Sequence, residues 1–437
     1  MIRQTVAHVD LAAIEDNLRA ISAFLSASPS SRGSASAPGV IAVVKANAYG
    51  HGASEVGLAL ERAGAAMLAC ADIEEGIALR RAGVGIPILV FGALGISDLD
   101  GVFEYDLTPT ISTPAAAANL ASAAARWFRS QTRVKPGSDQ GQAGVRPGSD
   151  RGQTRARPPV LGTQISERRR ALRCHLKIDT GMNRLGFRHD NLARTLPAIA
   201  RSEHLAIDAV YTHFATADEP EHPAFNEQRD RFESVLAQLP SLGIEPRSRH
   251  AANSAALLRD ERVWYDFVRP GLLLYGIVPP PLAVTMPLRP ALSLHSRIVH
   301  VKGTRPGEGT GYGLHSVSDT PRTLAVVPAG YADGLDRRMA GRAFMLVRGK
   351  RVPIVGSVCM DMTMIDVTGL EVHPGDEVVI VGAQGTAEIG MREIAASIGT
   401  IPYELLCRVG TRIERQYGSR EAPESLTKDR ENGRPGE

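Results

Sequence analysis

The sequence predicts an α/β chain that ends in a mostly-β domain, and three observations carry that prediction. Short apolar runs, often β-branched, alternate with helix-like stretches between residues 40 and 276. From about Met286 the texture changes to short alternating segments punctuated by Gly and Pro, and 437 residues exceed one ordinary domain. Eight strands are expected in the first part, centred on residues 40–44, 66–71, 87–91, 107–111, 174–178, 207–211, 247–250 and 267–273. The Ala-, Leu-, Arg- and Glu-rich stretches between them supply the crossovers that parallel strands need. Eight such repeats imply a (β/α)8 TIM-type barrel, which places its chemistry on loops after the carboxyl ends of the strands. Those ends carry Lys45, Asp72, Lys177 with Asp179, His213, His250 with Asn253 and Ser254, and Arg269.

The barrel is expected over residues 1–285, with the first strand of the chain free to join the second domain. That domain is expected over 286–417, with strands near 296–301, 323–327, 343–347 and 377–381, and the polar tail 418–437 is expected to be disordered. Residues 129–170 look foreign to this plan. The run 135–142 recurs eleven residues on as 146–153, and its Pro, Gly and polar residues bury too little apolar surface to stay ordered. A disordered insertion on the amino-terminal barrel face is expected.

The insertion also explains the charge. It holds ten Arg or Lys against three Asp or Glu, a balance of +7, so the remainder of a chain of net charge +3 stands at −4. Without interleaved aromatic residues this basic segment does not point to nucleic acid. No run of about 20 apolar residues exists to span a membrane, and the start has no apolar leader followed by a small-residue cleavage site, so a cytoplasmic location is expected. Cys70, Cys174, Cys359 and Cys407 form no C-x-x-C, which predicts reduced, mostly buried thiols and no metal site.

Lys45 follows an apolar run directly, in Ala42-Val43-Val44-Lys45-Ala46-Asn47-Ala48-Tyr49-Gly50-His51-Gly52. Burial of its stem would disfavour the ammonium form and yield a nucleophilic amine suited to a Schiff base. A surface lysine that merely ends a strand fits the position equally well. A metal-dependent barrel hydrolase is disfavoured, because His213, His250 and Asp179 are not joined by a His-x-His pair after the first strand.

Seven further blocks decide the matter. They are residues 177–186 (Lys-Ile-Asp-Thr-Gly-Met-Asn-Arg-Leu-Gly), 211–218, 250–256, 269–276, Gly330-Tyr331-Ala332-Asp333-Gly334-Leu335, Cys359-Met360-Asp361 and Pro402-Tyr403-Glu404. With the Lys45 block, in this order and spacing, the chain resembles the alanine racemase family over most of its length. Residues 26–38, the insertion and the tail do not match.

The resemblance implies pyridoxal 5′-phosphate carried on Lys45. It implies a phosphate held by Ser254, Gly271 and Leu272 through hydroxyl and backbone groups, joined by Tyr49 and Tyr403. Arg269 would donate to the pyridine nitrogen, with His250 orienting it and His213 and Asn253 near the ring. Arginine does not hand over its proton, so the cofactor would be a weaker electron sink than one facing a carboxylate. Tyr331 would be the second catalytic base, reaching the opposite subunit of a homodimer with shared active sites. Arg184, Met360 and Asp361 would bind substrate, Tyr312 would line its entry, and Lys177 matches a lysine that is carbamylated in many relatives. The implied activity is interconversion of L- and D-alanine by two bases, supplying D-alanine for peptidoglycan. A racemase for serine or a larger amino acid remains open, since a few methylenes discriminate weakly. A non-catalytic single-domain barrel relative is disfavoured, because it lacks the β domain and its tyrosine.

Overall fold

The computed structural model describes residues 5–28, 37–94, 98–132 and 171–418. Eight strands, Gly39–Val43, Met67–Cys70, Ile88–Val90, Thr108–Ile111, Leu172–Asp179, Leu205–Tyr211, Ser248–Asn253 and Phe267–Arg269, pair in parallel with their neighbours. Phe267 and Val268 pair back onto Gly39 and Val40, which closes the barrel. Most of the strands are short and apolar because both of their faces are covered, one by the barrel interior and one by helices, whereas Leu172–Asp179 and Ser248–Asn253 also carry polar residues. All eight expected strands are present.

The helix Leu11–Ala27 shows how sequence pattern becomes packing. Asp10 caps it, its carboxylate accepting from Ala13 N at 2.9 Å. Ile14, Leu18, Ile21 and Leu25 recur at helical spacing and are fully buried. Asn17 lies on the same buried face. Its Nδ2 donates to Leu274 O (3.0 Å) and Arg289 O (2.8 Å), and its Oδ1 accepts from Arg289 N (2.8 Å). One amide thus ties the first helix to the segment that leads into the second domain. The passage there is tight: a Cβ on Gly276, whose φ is +75°, would sit 1.9 Å from Arg289 O.

The second domain is a ten-stranded sheet. The strand Val6–Val9 belongs to it, antiparallel to Leu292–Arg297 and parallel to Glu414–Tyr417. From Val6–Val9 in the β domain the described chain goes on to build the barrel and then returns. Helices Met391–Ile398 and Pro402–Arg408, whose Ile394, Ile398, Leu405 and Leu406 are buried, pack on each other, and the second also packs against the turn Lys45–Tyr49 of the barrel.

Three expectations need correction. The strand expected at 296–301 is two, Leu292–Arg297 and His300–Thr304, because Ile298 N and Val299 N turn aside to Asp376 O and Val326 O. The insertion does not begin at 129, since the helix Pro114–Thr132 runs through that point on its Ala-rich helix-forming sequence. The rest of it, 133–170, and the tail beyond 418 lie outside the described residues. All four cysteines are free, but only Cys70 and Cys174 are buried; Cys359 is half-buried and Cys407 exposed. No helix among the described residues is long and apolar enough to cross a membrane.

Replacing Asn17 by Ala leaves buried backbone groups of Leu274 and Arg289 without partners. Urea unfolding should show a loss of roughly 2–4 kcal/mol at unchanged slope. A loss under 1 kcal/mol would mean that this stitch contributes little.

Candidate active site

Lys45 opens a turn, Lys45–Tyr49, that no periodicity argument anticipates. Ala46, Asn47, Ala48 and Tyr49 all have φ between 51° and 54°, in the left-handed region. Each non-glycine residue there costs about 1–2 kcal/mol, so its surroundings must hold it. Glu75 Oε1 accepts from Ala46 N (2.6 Å) and Oε2 from Ala71 N (2.8 Å). Asn47 Oδ1 accepts from Ala53 N at 2.8 Å, and His51 Nδ1 lies 2.9 Å from Ala48 O and 3.0 Å from Tyr49 O. The Lys45 amine makes no hydrogen bond or ion pair among the described residues. Burial first, and then the Arg184 charge, lower its pKa, which is the condition for a nucleophilic amine.

Arg269 is buried without a carboxylate. Nη1 donates to His250 Nδ1 (2.9 Å), and Nη2 donates to Thr212 O (2.9 Å), Ala251 O (2.9 Å) and His213 Nδ1 (3.3 Å). Because His250 Nδ1 must accept, its Nε2 carries the hydrogen and donates to His175 Nδ1 at 2.9 Å. Tyr211 stacks on His250 (4.6 Å, 14°) and lies under the guanidinium at 5.3 Å. Burial brings the Arg269 pKa down to about 10, and that of His175 to about 3. Burial and then the Arg269 charge also hold His213 and His250 far below their ordinary value. A fixed cation in neutral surroundings results.

Beside it lies a set of donors. Ser254 Oγ accepts from Gly271 N at 2.9 Å. The cap of the following helix is Asn253, not Ser254: its Oδ1 accepts from Ala256 N at 2.9 Å, which leaves the serine hydroxyl hydrogen to point elsewhere. A Cβ on Gly271 would stand 2.5 Å from the Tyr49 hydroxyl, so only glycine admits that phenol. Leu272 follows in the buried turn Leu272–Tyr275. The Tyr49 and Tyr403 rings lie 5.9 Å apart. Burial raises the Tyr49 pKa and pushes that of Tyr403 up to about 12, so both remain donors near pH 7.

Electrostatics tie these parts together. Burial, then Arg184, Arg269 and Lys45, overcome the opposing pull of Asp179 and bring Lys177 down to about 8. Lys45, Lys177, Arg184 and Arg269 therefore press on one another. The two carboxylates nearby are already engaged with backbone: Glu75 as above, and Asp179 with Gly181 N (3.0 Å) and Asn183 N (3.1 Å). Such a cluster calls for an anion. Its parts match pyridoxal 5′-phosphate: hydroxyls and a backbone turn for phosphate, Arg269 for a ring nitrogen that accepts, and a neutral-leaning lysine for an aldehyde carbon.

Tyr312, Tyr331, Met360 and Asp361 gather elsewhere, on three loops of the β domain. Tyr331 N donates to Cys359 O (2.9 Å), Ala332 N to Met360 O (3.1 Å) and Ser357 Oγ to Tyr312 O (2.7 Å). Asp361 pairs with Arg412 at 2.5 Å. Tyr312, Tyr331 and Met360 are 75%, 43% and 52% exposed, and Leu314 and Val317 extend this uncovered apolar surface.

Sequence reading missed His175, Glu75 and Tyr211. His175 was within reach, because it is two residues from Lys177 on one strand and so shares its face. Glu75 carried no signal, since a first-turn glutamate is ordinary.

A lysine at the mouth of a closed parallel barrel, among cations that form no ion pair among the described residues and beside a separate β domain, defines a two-domain barrel protein with an electropositive pocket at its strand ends. Residues 9–279 match the family model "Alanine racemase, N-terminal domain" and 291–417 match "Alanine racemase, C-terminal domain". The chain is 37% identical to an alanine racemase of Symbiobacterium thermophilum, over 96% of this chain and 99% of that one. It is 36% identical to alanine racemase 1 of Bacillus subtilis, over 95% and 93%. The crystal structure of the Streptomyces lavendulae alanine racemase superposes with a TM-score of 0.81 at 32% identity, covering 96% and 98%. That of the Bacillus anthracis enzyme, with bound L-Ala-P, gives 0.77 at 34%, covering 95% of each. The protein belongs to the alanine racemase family, a family of amino-acid racemases.

The depressed Lys177 pKa has a thermodynamic consequence. The native lysine titrates near 8 and the unfolded one near an ordinary ~10.4, so between those values the unfolded chain binds more protons. Stability of the cofactor-free protein in CO2-depleted buffer should rise with pH across that window and level off outside it. Lys177→Met should flatten the rise, leaving the smaller part due to Lys45. An unchanged slope in denaturant titrations would show that Lys177 is not held near 8.

Proposed function

We propose that the protein is a pyridoxal 5′-phosphate-dependent alanine racemase that works by two bases as a homodimer with shared active sites. The observation that carries this reading is the group of four cations at the barrel mouth, which has no free counterion among the described residues, together with Ser254, Gly271, Tyr49 and Tyr403 near the same strand ends. Lys45 would hold the cofactor covalently. Ser254, Gly271, Leu272, Tyr49 and Tyr403 would hold its phosphate, and Arg269, fixed by His250 and His175, would donate to its ring nitrogen. When bound, the cofactor withdraws electrons and acidifies the α-hydrogen of the amino acid.

The remaining work falls to side chains. Arg184 would bind the substrate carboxylate, and a carbamate on Lys177 would orient Arg184. The Lys177 pKa near 8 supports this, because carbamates form on neutral amines. Lys45 would move a proton on one face of the α-carbon and the Tyr331 hydroxyl on the other. The 43% exposure of Tyr331 suits a residue completed by a partner, with Tyr312, Met360 and Asp361 shaping the substrate side from the same loops. His213 and Asn253 would flank the ring. A cytoplasmic enzyme supplying D-alanine for peptidoglycan completes the reading.

Two experiments test it. Purified protein should absorb near the visible edge, and borohydride should fix the label on Lys45; a label on any other residue would defeat the assignment. Tyr331→Phe should slow racemisation about 10²–10⁴-fold equally in both directions. In deuterated solvent the variant should still exchange the α-hydrogen of D-alanine, served by Lys45, while barely exchanging that of L-alanine. Mixing Tyr331→Phe with Lys45→Ala subunits should restore some activity, since one site then receives both native residues. A mixture that stays inactive after verified subunit exchange would refute the shared site.

A further inference from the structure

We infer that Asp179 is a positioning residue whose side-chain oxygen fixes the backbone of the loop 180–186 and so aims Arg184 at the substrate carboxylate. The inference deepens the reading above and rests on Arg184 as the group that holds that carboxylate. Asp179 ends the barrel strand Leu172–Asp179, two residues beyond Lys177 and on the same face.

Arg184 has no anchor of its own. Its side chain is exposed and makes no hydrogen bond or ion pair among the described residues. Burial apart, its charge is the one that most lowers the pKa of both Lys45 and Lys177, so it stands over the barrel mouth. A guanidinium without a partner goes where its backbone puts it.

That backbone follows a tight path. The chain leaves the strand at Asp179 and is back beside it by Phe187: Phe187 and Arg188 pair in parallel with Ile178 and Asp179, and His189 N donates to Asp179 O at 3.2 Å. Parallel neighbours ordinarily need a crossover of about a dozen residues or more, so a return this short has to be held by specific contacts. At its near end one oxygen, Asp179 Oδ1, accepts from both Gly181 N (3.0 Å) and Asn183 N (3.1 Å). Asn183 has a φ of 55°, a left-handed conformation that a non-glycine residue keeps only where its surroundings impose it. At the far end a Cβ on Gly186 would stand 2.7 Å from Asp179 N, so the loop lies directly on the strand it left. Arg184 is carried between these two fastenings.

The role belongs to the oxygen and not to the charge. Both loop amides use the same oxygen, and an asparagine carbonyl, with two lone pairs, offers the same acceptor. A negative charge at this point does nothing to attract a second carboxylate.

Asp179→Asn and Asp179→Ala separate the two contributions, because both lose the charge and only alanine loses the acceptor. In the holoenzyme Asp179→Ala should raise the KM for alanine about tenfold, more than it lowers kcat. It should weaken inhibition by propionate, which has the carboxylate and lacks the amine, by a similar factor. Asp179→Asn should stay within about twofold of the wild-type protein in both measurements. Amide exchange needs no variant: in the wild-type protein Gly181 and Asn183 should exchange more slowly than Met182 and Arg184, a readout that stands even where the alanine variant does not fold. Equal behaviour of the two variants, a loss confined to kcat, or fast exchange at both amides would each overturn the proposal. Arg184→Gln tells the two readings apart. If it leaves KM and propionate inhibition unchanged, the carboxylate role of Arg184 falls and the proposal with it; if it weakens both while Asp179→Ala does not, only the proposal falls.

Discussion

Eight parallel strands that end on one face of a closed barrel drive every strand-end side chain toward the same small volume, and the chemistry of this protein is a consequence of that crowding. Lys45, Lys177, Arg184 and Arg269 would be unremarkable apart. Together, burial and the charges of the two arginines depress the pKa values of both lysines, and charge is left that nearby carboxylates do not neutralise. A fold that concentrates cations in a partly dry cleft has built an anion site before any ligand is considered.

The concentration is tolerable because neutral groups absorb it. Arg269 is held by two carbonyl oxygens and two imidazole nitrogens, with the Tyr211 ring beneath it. Its imidazole neighbours stay uncharged because burial and the guanidinium act in the same direction on them. Direction of donation then propagates: an obligate donor at Arg269 fixes the tautomer of His250, and through it the acceptor at His175. The left-handed turn after Lys45 follows the same logic. Its strain is offset by side-chain bonds from Glu75, Asn47 and His51, all made to its own backbone or its immediate neighbours.

The β domain has a different task. Both ends of the described chain enter its sheet, Val6–Val9 beside Glu414–Tyr417, so the barrel is inserted between strands of one structure. This anchors Tyr403 next to Tyr49. It also raises three stitched loops, bearing Tyr312, Tyr331 and Met360, as an uncovered surface. A surface of that kind, carrying side chains that the family resemblance assigns to the active site, is what the proposed shared site would require of each protomer.

Much of this was written in the sequence by itself. The alternation of short runs with helix-like stretches gave all eight barrel strands, most of them because a strand buried on both faces tends to be a short apolar run, and the motif order placed Lys45, Arg184, Arg269 and Tyr331 at strand ends and loops. What it did not determine were relations between distant residues. Asn253 rather than Ser254 caps its helix because of where the backbone turns, and His175 matters because strand closure brings it 2.9 Å from His250. The division at Ile298 and Val299 depends on carbonyls supplied by Asp376 and Val326. Local pattern reports which face of an element is buried. Only the closed barrel and the sheet beside it decide which residues meet there, and so which of them share a proton, a charge or an unfilled hydrogen bond.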